Sequence, residues 1–327
     1  MLDHFSISNN NFSGPVLITG AGGCIGAWTM AMLLKANIDV IAFDLTSNKR
    51  RPELLIEDEK LKKVPWIEGD ISDTETVLSS IKKYSPESII HLAALQVPFC
   101  AADPTAGAKV NVVGTVNILE AAKQNSIKRI AHASSMAAHS FLPGSDSLKT
   151  LYGAYKMCDE QISEVYWQDH KVPSMCLRPA IVNGVGRDQG MTSKQTVAML
   201  AAALGEPYDI PYTGYVSHLS AAEVASAFIH SVSYEGDGSF VFDIFGESVN
   251  INETIKMINK IKPNANITSS GSEMPFPSKL SDIPLREHLK SRVSDYGSID
   301  TETMISETIT AFEKLIQSGK IDINYLK

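Results

Sequence analysis

The 327-residue sequence is poor in cysteine: it has four, and none belongs to a C-x-x-C pair. Cys24, Cys100, Cys158 and Cys176 are scattered along the chain. Isolated cysteines are typical of proteins in a reducing compartment, and they indicate neither a disulfide framework nor a zinc site. We therefore expect a cytoplasmic protein with free thiols.

Other features are missing as well, and each absence argues against a class of function. The net charge is −8 with no basic block, so a nucleic-acid partner is not expected. No apolar run is long enough for a bilayer, and the N-terminus lacks the basic and apolar regions of a secretory signal. The eight histidines include no pair at ligand spacing beside a carboxylate, so no metal site is predicted. A Gly-x-Ser-x-Gly motif is absent, which argues against a serine hydrolase.

What the chain does contain is a regular alternation of short apolar runs and helical segments. Apolar residues make up 44% of the sequence and charged residues 20%, as in ordinary globular proteins. Strand character is found at residues 15–19, 39–44, 66–70, 88–94, 129–135 and 174–179. Strands separated by helices predict βαβ units, and six in succession predict an α/β fold with a doubly wound parallel sheet of the Rossmann type.

The composition also suggests a division of the chain into three parts. Residues 1–13 are polar and are expected to form a loose N-terminal arm. Residues 14–180 form the expected dinucleotide-binding domain, to which a later strand near 239–246 returns. After Pro179 the alternation weakens, so residues 181–327 are expected to form mainly a smaller substrate-binding lobe over the carboxyl ends of the strands.

A glycine-rich turn lies between the first predicted strand and the first helix. Gly20, Gly23 and Gly26 permit a tight turn and let backbone N–H groups approach a pyrophosphate at the helix N-terminus. Asp44 ends the second strand about 20 residues later, where an acid binds ribose hydroxyls and repels a 2′-phosphate. We therefore predict NAD as the cofactor, while the three cations Lys49, Arg50 and Arg51 leave NADP open.

A tyrosine and a lysine, Tyr152 and Lys156, lie four residues apart and so share one face of a predicted helix. A free phenol loses its proton only near pH 10, but a nearby ammonium favours the phenolate. Ser135 lies upstream at the end of the fifth strand, where its hydroxyl can hold a substrate oxygen. The three side chains together predict general acid/base chemistry on an alcohol or ketone.

These motifs occur in the order found in the extended short-chain dehydrogenases/reductases, the NAD-dependent epimerase/dehydratase family, which the chain resembles from about Val16 to Phe245. The resemblance is carried by Gly20, Gly23 and Gly26, Gly69-Asp70-Ile71, His91-Leu-Ala-Ala94, Asn111-Val-Val-Gly-Thr115, Ser134-Ser135, Tyr152-x-x-x-Lys156 and Arg178-Pro179. It implies NAD contacts from Gly20, Gly23, Cys24, Ile25, Gly26, Asp44, Asp70, Ile71, Leu92, Ala93, Ala94, Asn111, Tyr152, Lys156, Pro179 and Ala180.

Catalytic roles follow from the same resemblance. It implies that Tyr152 gives or takes the proton, that Lys156 supports it and holds the nicotinamide ribose, and that Ser135, rather than Ser134, binds the substrate oxygen. The helices at 106–124 and 151–167 carry the small and apolar residues of the family's four-helix dimer interface. A homodimer is therefore expected.

Three functions are compatible with these motifs. Family dehydratases carry an acidic pair after the catalytic serine or threonine, where this chain has Met136-Ala137, so dehydration is disfavoured. Family epimerases commonly place an arginine before a segment that here reads Tyr212 to His218 and contains none. We favour an NAD-dependent dehydrogenase or reductase of a small polar substrate, sugar derivatives included. A nucleotide-sugar epimerase and a non-catalytic NAD sensor are the alternatives.

Substrate contacts are expected from loops at the carboxyl ends of the strands and from the lobe. Gln96 follows the fourth strand, and Arg187 is the main candidate cation for a carboxylate or polyol. The predicted substrate contacts are Gln96, Ser135, Met136, Asn183, Arg187, Gln189 and His218.

Overall fold

The computed structural model describes residues 1–277 and 279–326, and its first half alternates strands with helices. The elements up to residue 180 are β1 Val16–Thr19, α1 Cys24–Lys35, β2 Val40–Asp44, α2 Pro52–Leu55, α3 Asp58–Leu61, β3 Trp66–Glu68, α4 Thr74–Tyr84, β4 Ser88–His91, α5 Val97–Ala102, α6 Pro104–Ala108, α7 Gly114–Asn125, β5 Ile130–Ala133, α8 Leu151–His170 and β6 Ser174–Pro179.

The second half contains shorter strands between helices. Its elements are β7 Val182–Asn183, α9 Lys194–Leu204, β8 Tyr208–Ile210, β9 Tyr215–Ser220, α10 Ala221–Ser231, β10 Ser239–Ile244, β11 Glu247–Asn250, α11 Ile251–Ile261, β12 Ile267–Ser269, α12 Ile283–Arg292 and α13 Thr301–Gln317. Within the described residues, no helix combines the length and apolar character that crossing a membrane requires.

Seven strands form one parallel sheet in the order β3-β2-β1-β4-β5-β6-β10. Strands β1 and β4 are buried along their whole length, as expected for central strands covered on both faces. Strand order reverses between β1 and β4, and at such a switch point the loops diverge and open a crevice at the carboxyl ends. The predicted α/β doubly wound sheet is confirmed.

Residues beyond β6 build two small sheets next to the large one. Strands β7, β9 and β11 form a three-stranded sheet, and β8 pairs with β12. Strand β10 returns to the large sheet beside β6, and α10 is buried against α1, so one apolar core runs through both halves. The division into a dinucleotide-binding domain and a substrate-binding lobe stays a prediction.

The N-terminal arm is tied down, contrary to the expectation that residues 1–13 are loose. Phe5 is buried in the main core and packs beside Gly297. The N-terminal ammonium pairs with Glu307 of α13 at 2.5 Å, and Arg129 donates to the carbonyl of Asn11 at 2.7 Å. Met1, Leu2, Ile7 and Phe12 of the arm also pack against this core, and the polar composition of the arm conceals these apolar contacts.

The long helix predicted at 106–124 contains an irregular turn. Residues 109–113 have a π-helical turn between α6 and α7, with Asn111 completely buried in its middle. Asn111 accepts from the N–H of Leu95 at 3.2 Å and donates to its carbonyl at 3.1 Å. Single π turns are frequent at functional sites, and this one holds the loop after β4 in place.

Candidate active site

The glycine turn after β1 forms a close-packed cradle at the start of α1. Gly20 has φ +68°, and a Cβ there would lie 2.7 Å from the backbone nitrogen of Ala93. A Cβ on Gly26 would collide with the carbonyl of Gly20. Gly23 caps α1 without a side-chain hydrogen bond, so the N–H groups at Cys24, Ile25 and Gly26 start the helix without a side-chain acceptor. A pyrophosphate fits this cradle because the backbone approaches closely and the helix N-terminus favours an anion.

Asp44 faces the glycine turn from the end of β2. Its carboxylate accepts from the N–H of Gly22 and from the N–H of Leu45, both at 2.8 Å. Burial raises the pKa of Asp44, although these hydrogen bonds oppose that rise. The carboxylate therefore lies beside the glycine turn, and its contact with ribose hydroxyls stays a prediction.

Two of the cations that left NADP open, the exposed Arg50 and the half-buried Arg51, already pair with a carboxylate of this chain. Arg50 and Arg51 both bind Asp188, with Arg51 Nη2 at 2.7 Å from Asp188 Oδ1. Arg51 also donates to the carbonyl of Gly22 at 3.3 Å. Because these guanidinium groups already have a carboxylate partner, their arrangement favours NAD over NADP.

The remaining predicted cofactor contacts border the same crevice. The N–H of Leu92 donates to the carbonyl of Thr19 at 3.1 Å, which places Leu92, Ala93 and Ala94 beside the glycine turn. Asp70, which is exposed, and Ile71, which is buried, follow β3, and the N–H of Gly69 donates to the carbonyl of Asp44 at 2.9 Å, which places them beside the end of β2. Pro179 ends β6, and Ala180 donates to Ile244 at 3.0 Å.

The proton-transfer residues come together where β5 ends and α8 begins. Lys156 Nζ lies 6.0 Å from the centre of the Tyr152 ring, and only 2% of the lysine is exposed. Ser135 caps the short turn at 136–141, and its Oγ accepts from the N–H of Ala137 at 3.2 Å. A Cβ on Gly153 would lie 2.6 Å from the carbonyl of Ala137, so this turn packs tightly on the start of α8.

Ser134, which directly precedes Ser135, belongs to a buried hydrogen-bond network. Ser134 is buried, and its hydroxyl donates to Glu160. The same carboxylate receives two hydrogen bonds from Arg178, at 2.7 and 2.5 Å. The Ser134 hydroxyl is therefore occupied by this internal network, and the role of Ser135 at the substrate oxygen stays a prediction.

Sequence reasoning missed the acidic side chains behind Lys156. Asp159 has no exposed surface and accepts from the Lys156 ammonium at 3.3 Å. Burial raises the pKa of Asp159 to about 6, although the lysine opposes that rise. The signal was available, since Asp159 and Glu160 follow Lys156 by three and four residues and therefore lie on its helix face.

Two predicted substrate contacts meet across the crevice. A Cβ on Gly190 would overlap the Gln96 carboxamide oxygen, so Gln96 reaches from the loop after β4 to the loop between β7 and α9. Arg187 in that loop donates to Thr192 Oγ1 at 2.9 Å, while its buried Nε has no partner among the described residues. Gln189 is exposed in the same loop. A half-buried, incompletely paired guanidinium is suited to an anionic or hydroxyl-rich ligand.

Three other predicted substrate contacts point into the protein. The Met136 side chain belongs to the main apolar core, and Asn183, with no exposed surface, accepts from Thr196 at 3.3 Å. His218 shares a hydrogen bond with Thr254 at 2.8 Å, and burial lowers its pKa to about 4. The structure therefore gives no support to substrate contacts through these side chains.

Comparisons with known proteins agree with this geometry. Residues 16–239 match the model of the NAD dependent epimerase/dehydratase family. The chain belongs to this family. The expectations of an enzyme of the extended short-chain dehydrogenase/reductase type and of NAD as its cofactor are confirmed.

The individual relatives have low sequence identity to this chain. A UDP-glucose 4-epimerase of Mycolicibacterium smegmatis is 31% identical over 181 residues, which are 53% of this chain and 57% of that protein. The chain thus spans about half the length of the curated relatives it matches. The fold is similar to that of the Thermotoga maritima UDP-glucose 4-epimerase, whose structure was solved with UDP-glucose. The TM-score between the two is 0.78 at 20% identity, and the match covers 92% of this chain and 99% of that chain. For a monomeric L-threonine 3-dehydrogenase from a metagenome, the TM-score is 0.76 at 20% identity, and the match covers 92% of this chain and 99% of that chain. These two likenesses concern the fold alone.

Proposed function

We propose that the protein is an NAD-dependent dehydrogenase or reductase that acts on a secondary alcohol or ketone of a small polar substrate, sugar derivatives included. The bound nicotinamide supplies the hydride acceptor or donor. Tyr152 moves the proton at the substrate oxygen, Ser135 donates a hydrogen bond to that oxygen, and Lys156 supplies the positive charge beside the phenol. The glycine turn and Asp44 hold the dinucleotide.

The observation that carries the choice of a small substrate is the arrangement across the crevice. Gln96 spans it to Gly190, and Arg187 is the incompletely paired cation beside them. The segment from Tyr212 to His218 contains no arginine, and both of its end residues are buried. One guanidinium and one carboxamide suit a carboxylate or a polyol, whereas a nucleotide diphosphate calls for more cations.

A nucleotide-sugar epimerase is the second candidate, because the curated relatives at about this identity include several named UDP-glucose 4-epimerases. In that reaction Tyr152 would first accept and later return the proton, with no net change in NAD.

One experiment separates the two functions. The purified protein is incubated with NAD and a panel of sugar acids, polyols, hydroxy acids and UDP-sugars, while NADH absorbance and sugar configuration are both followed. Accumulation of NADH with a small alcohol supports the dehydrogenase. Interconversion of a UDP-sugar without NADH would replace it by the epimerase.

We also propose a homodimer formed through α7 and α8. Support comes from apolar side chains that remain exposed: Val113 directly before α7 is 41%, Leu151 at the start of α8 44% and Val165 within α8 51% exposed. Burying such residues against a second copy removes apolar surface from water. Light scattering at micromolar concentration is expected to give twice the chain mass, and a monomer alone would contradict the proposal.

A cytoplasmic location is part of the same proposal. It is supported by the four free thiols, one of which, Cys158, is exposed on α8. An exposed thiol is most stable in a reducing compartment. Fractionation of the producing cells tests the location, which recovery outside the cytoplasm would contradict.

A further inference from the structure

A buried ion pair lies directly behind the proton-transfer site. Lys156 and Asp159 are one helical turn apart on α8, with Nζ and Oδ2 separated by 3.3 Å. The lysine is 2% exposed and the aspartate 0%. A buried ion pair that loses one partner leaves an uncompensated charge, so each of these groups depends on the other.

Within the part of the chain that the structure describes, the strands packed against the pair offer the lysine no second carboxylate. His91 of β4 shares hydrogen bonds with Thr19 and Thr115, and His132 of β5 shares one with Ser163. Burial, assisted by the positive charge of Lys156, lowers the pKa of both histidines, so both are neutral at neutral pH. The titratable and charged groups around the pair are Tyr152 and Glu160 of α8, His91, His132, Cys100 of α5, and Cys176 and Arg178 of β6.

The other candidates for a counter-ion of Lys156 either bind different groups or carry no charge. Glu160 receives both hydrogen bonds of the Arg178 fork and one from Ser134. The thiol of Cys176 stays protonated because burial raises its pKa well above the ordinary value. Among the described residues, Asp159 is therefore the carboxylate that compensates the Lys156 ammonium.

We propose that Asp159 is a positioning residue of the proton-transfer site, whose carboxylate keeps the Lys156 ammonium charged and held behind Tyr152. The proposal rests on the roles that the proposed function gives to Tyr152 and Lys156. Burial is the largest single influence on the pKa of Lys156 and lowers it, but the charge and hydrogen bond of Asp159, joined by the charge of Tyr152, oppose burial, and the net pKa is raised. Without the carboxylate, the desolvation of this buried lysine loses its largest opposing influence.

The direct test needs neither substrate nor cofactor. Protein labelled with carbon-13 at the lysine Cε position is titrated by NMR, and the Lys156 resonance is assigned by its loss in Lys156→Arg. In the wild type we expect the ammonium to persist to about pH 10. In Asp159→Asn its deprotonation is expected about 3 units lower, while Asp159→Glu stays close to the wild type.

Two outcomes would overturn the proposal. One is an ammonium in Asp159→Asn that persists as far as in the wild type. The other is a wild-type Lys156 that deprotonates below about pH 8, which decides the matter even if the variant fails to fold. Glu223→Gln is the matched control, because it removes a buried carboxylate paired with Arg286 outside the site and should leave the Lys156 titration unchanged.

Turnover provides a second readout. Oxidation by Asp159→Asn is expected to fall as the pH rises through the new Lys156 midpoint, while wild-type activity holds over that range. A residue with a merely structural role would lower activity equally at every pH, and that result would also overturn the proposal. If the wild type fails to oxidise any substrate but the NMR titration is as expected, the proposed function fails and the role of Asp159 stands.

Discussion

The two sides of the crevice are built by different means. On the cofactor side, backbone groups and short side chains at the ends of parallel strands make the site, and the spacing of the strands places them. On the substrate side, the loop between β7 and α9 has three glycines with positive φ, and Trp28, Arg51 and Gln96 from the cofactor side hold it in place. The first side therefore depends on local geometry and the second on tertiary contacts.

The sharpest test of this difference uses two glycines of similar backbone conformation. Gly20 and Gly205 both have positive φ, at +68° and +78°, but a Cβ meets the Ala93 backbone only in the first case. Gly20→Ala is expected to weaken NAD binding by about a thousandfold, or about 4 kcal/mol, because the turn must open. Gly205→Ala should cost only backbone strain, about 1 kcal/mol of stability. Calorimetric titration with NAD measures the affinity of both variants, and equal NAD affinities would contradict the account.

A second test asks whether burial lowers the pKa of a histidine to a similar extent on both sides of the crevice. His132 lies in β5 of the large sheet and His218 in β9 of the three-stranded sheet, and burial lowers their pKa values to about 3 and about 4. The unfolded chain takes up these protons below about pH 6.5, whereas the folded protein does not, so stability is lost as the pH falls from about 6.5 to 4. Each histidine accounts for about 3 kcal/mol.

Urea unfolding at several pH values measures this loss. His132→Gln and His218→Gln should each flatten the acid branch of the stability curve by a similar amount. Acid branches that remain parallel to the wild type would show that neither histidine is held neutral in the fold.

On the substrate side, Arg187 should matter more for acids than for neutral polyols. Arg187→Gln is expected to raise KM for an acidic substrate by about thirtyfold, since a charge-assisted hydrogen bond contributes about 2 kcal/mol. For a neutral polyol the rise should stay below about threefold. Arg50→Gln is the control, because Arg50 is a nearby cation already paired with Asp188. Equal changes for acids and polyols would remove Arg187 from the substrate site.

The smallest expected effect concerns cofactor choice. Asp44→Asn should shift the ratio of NAD to NADP affinities about tenfold towards NADP, about 1.4 kcal/mol, since repulsion of the 2′-phosphate is lost. Glu68→Gln is the matched control: this exposed carboxylate ends β3 directly opposite Asp44 in the sheet register. A wild type that already prefers NADP would show that the role given to Asp44 is wrong.

The comparison also explains which parts of the site the sequence could predict. The doubly wound sheet, Asp44 and the Tyr152–Lys156 pair follow from periodicity and fixed spacing, because parallel strands bring their carboxyl ends to one edge. The sequence predicts substrate contacts at Asn183 and His218, yet both side chains are buried: Asn183 accepts from Thr196, and His218 Nε2 shares a hydrogen bond with Thr254, while His218 Nδ1 has no partner among the described residues. Those partners come from separate helices, and no local pattern reveals which polar side chain will turn inwards. The anchored N-terminal arm escaped prediction for the same reason.

The central claim is that Tyr152 performs proton transfer in an NAD-linked oxidation. The most direct measurement is NADH formation by the wild type and Tyr152→Phe on the same panel of small alcohols, with NAD affinity measured in parallel. We predict that the wild type reduces NAD with at least one of them, and that the variant is slower by at least about a hundredfold with nearly unchanged NAD affinity. A variant that retains near-normal turnover would contradict the account.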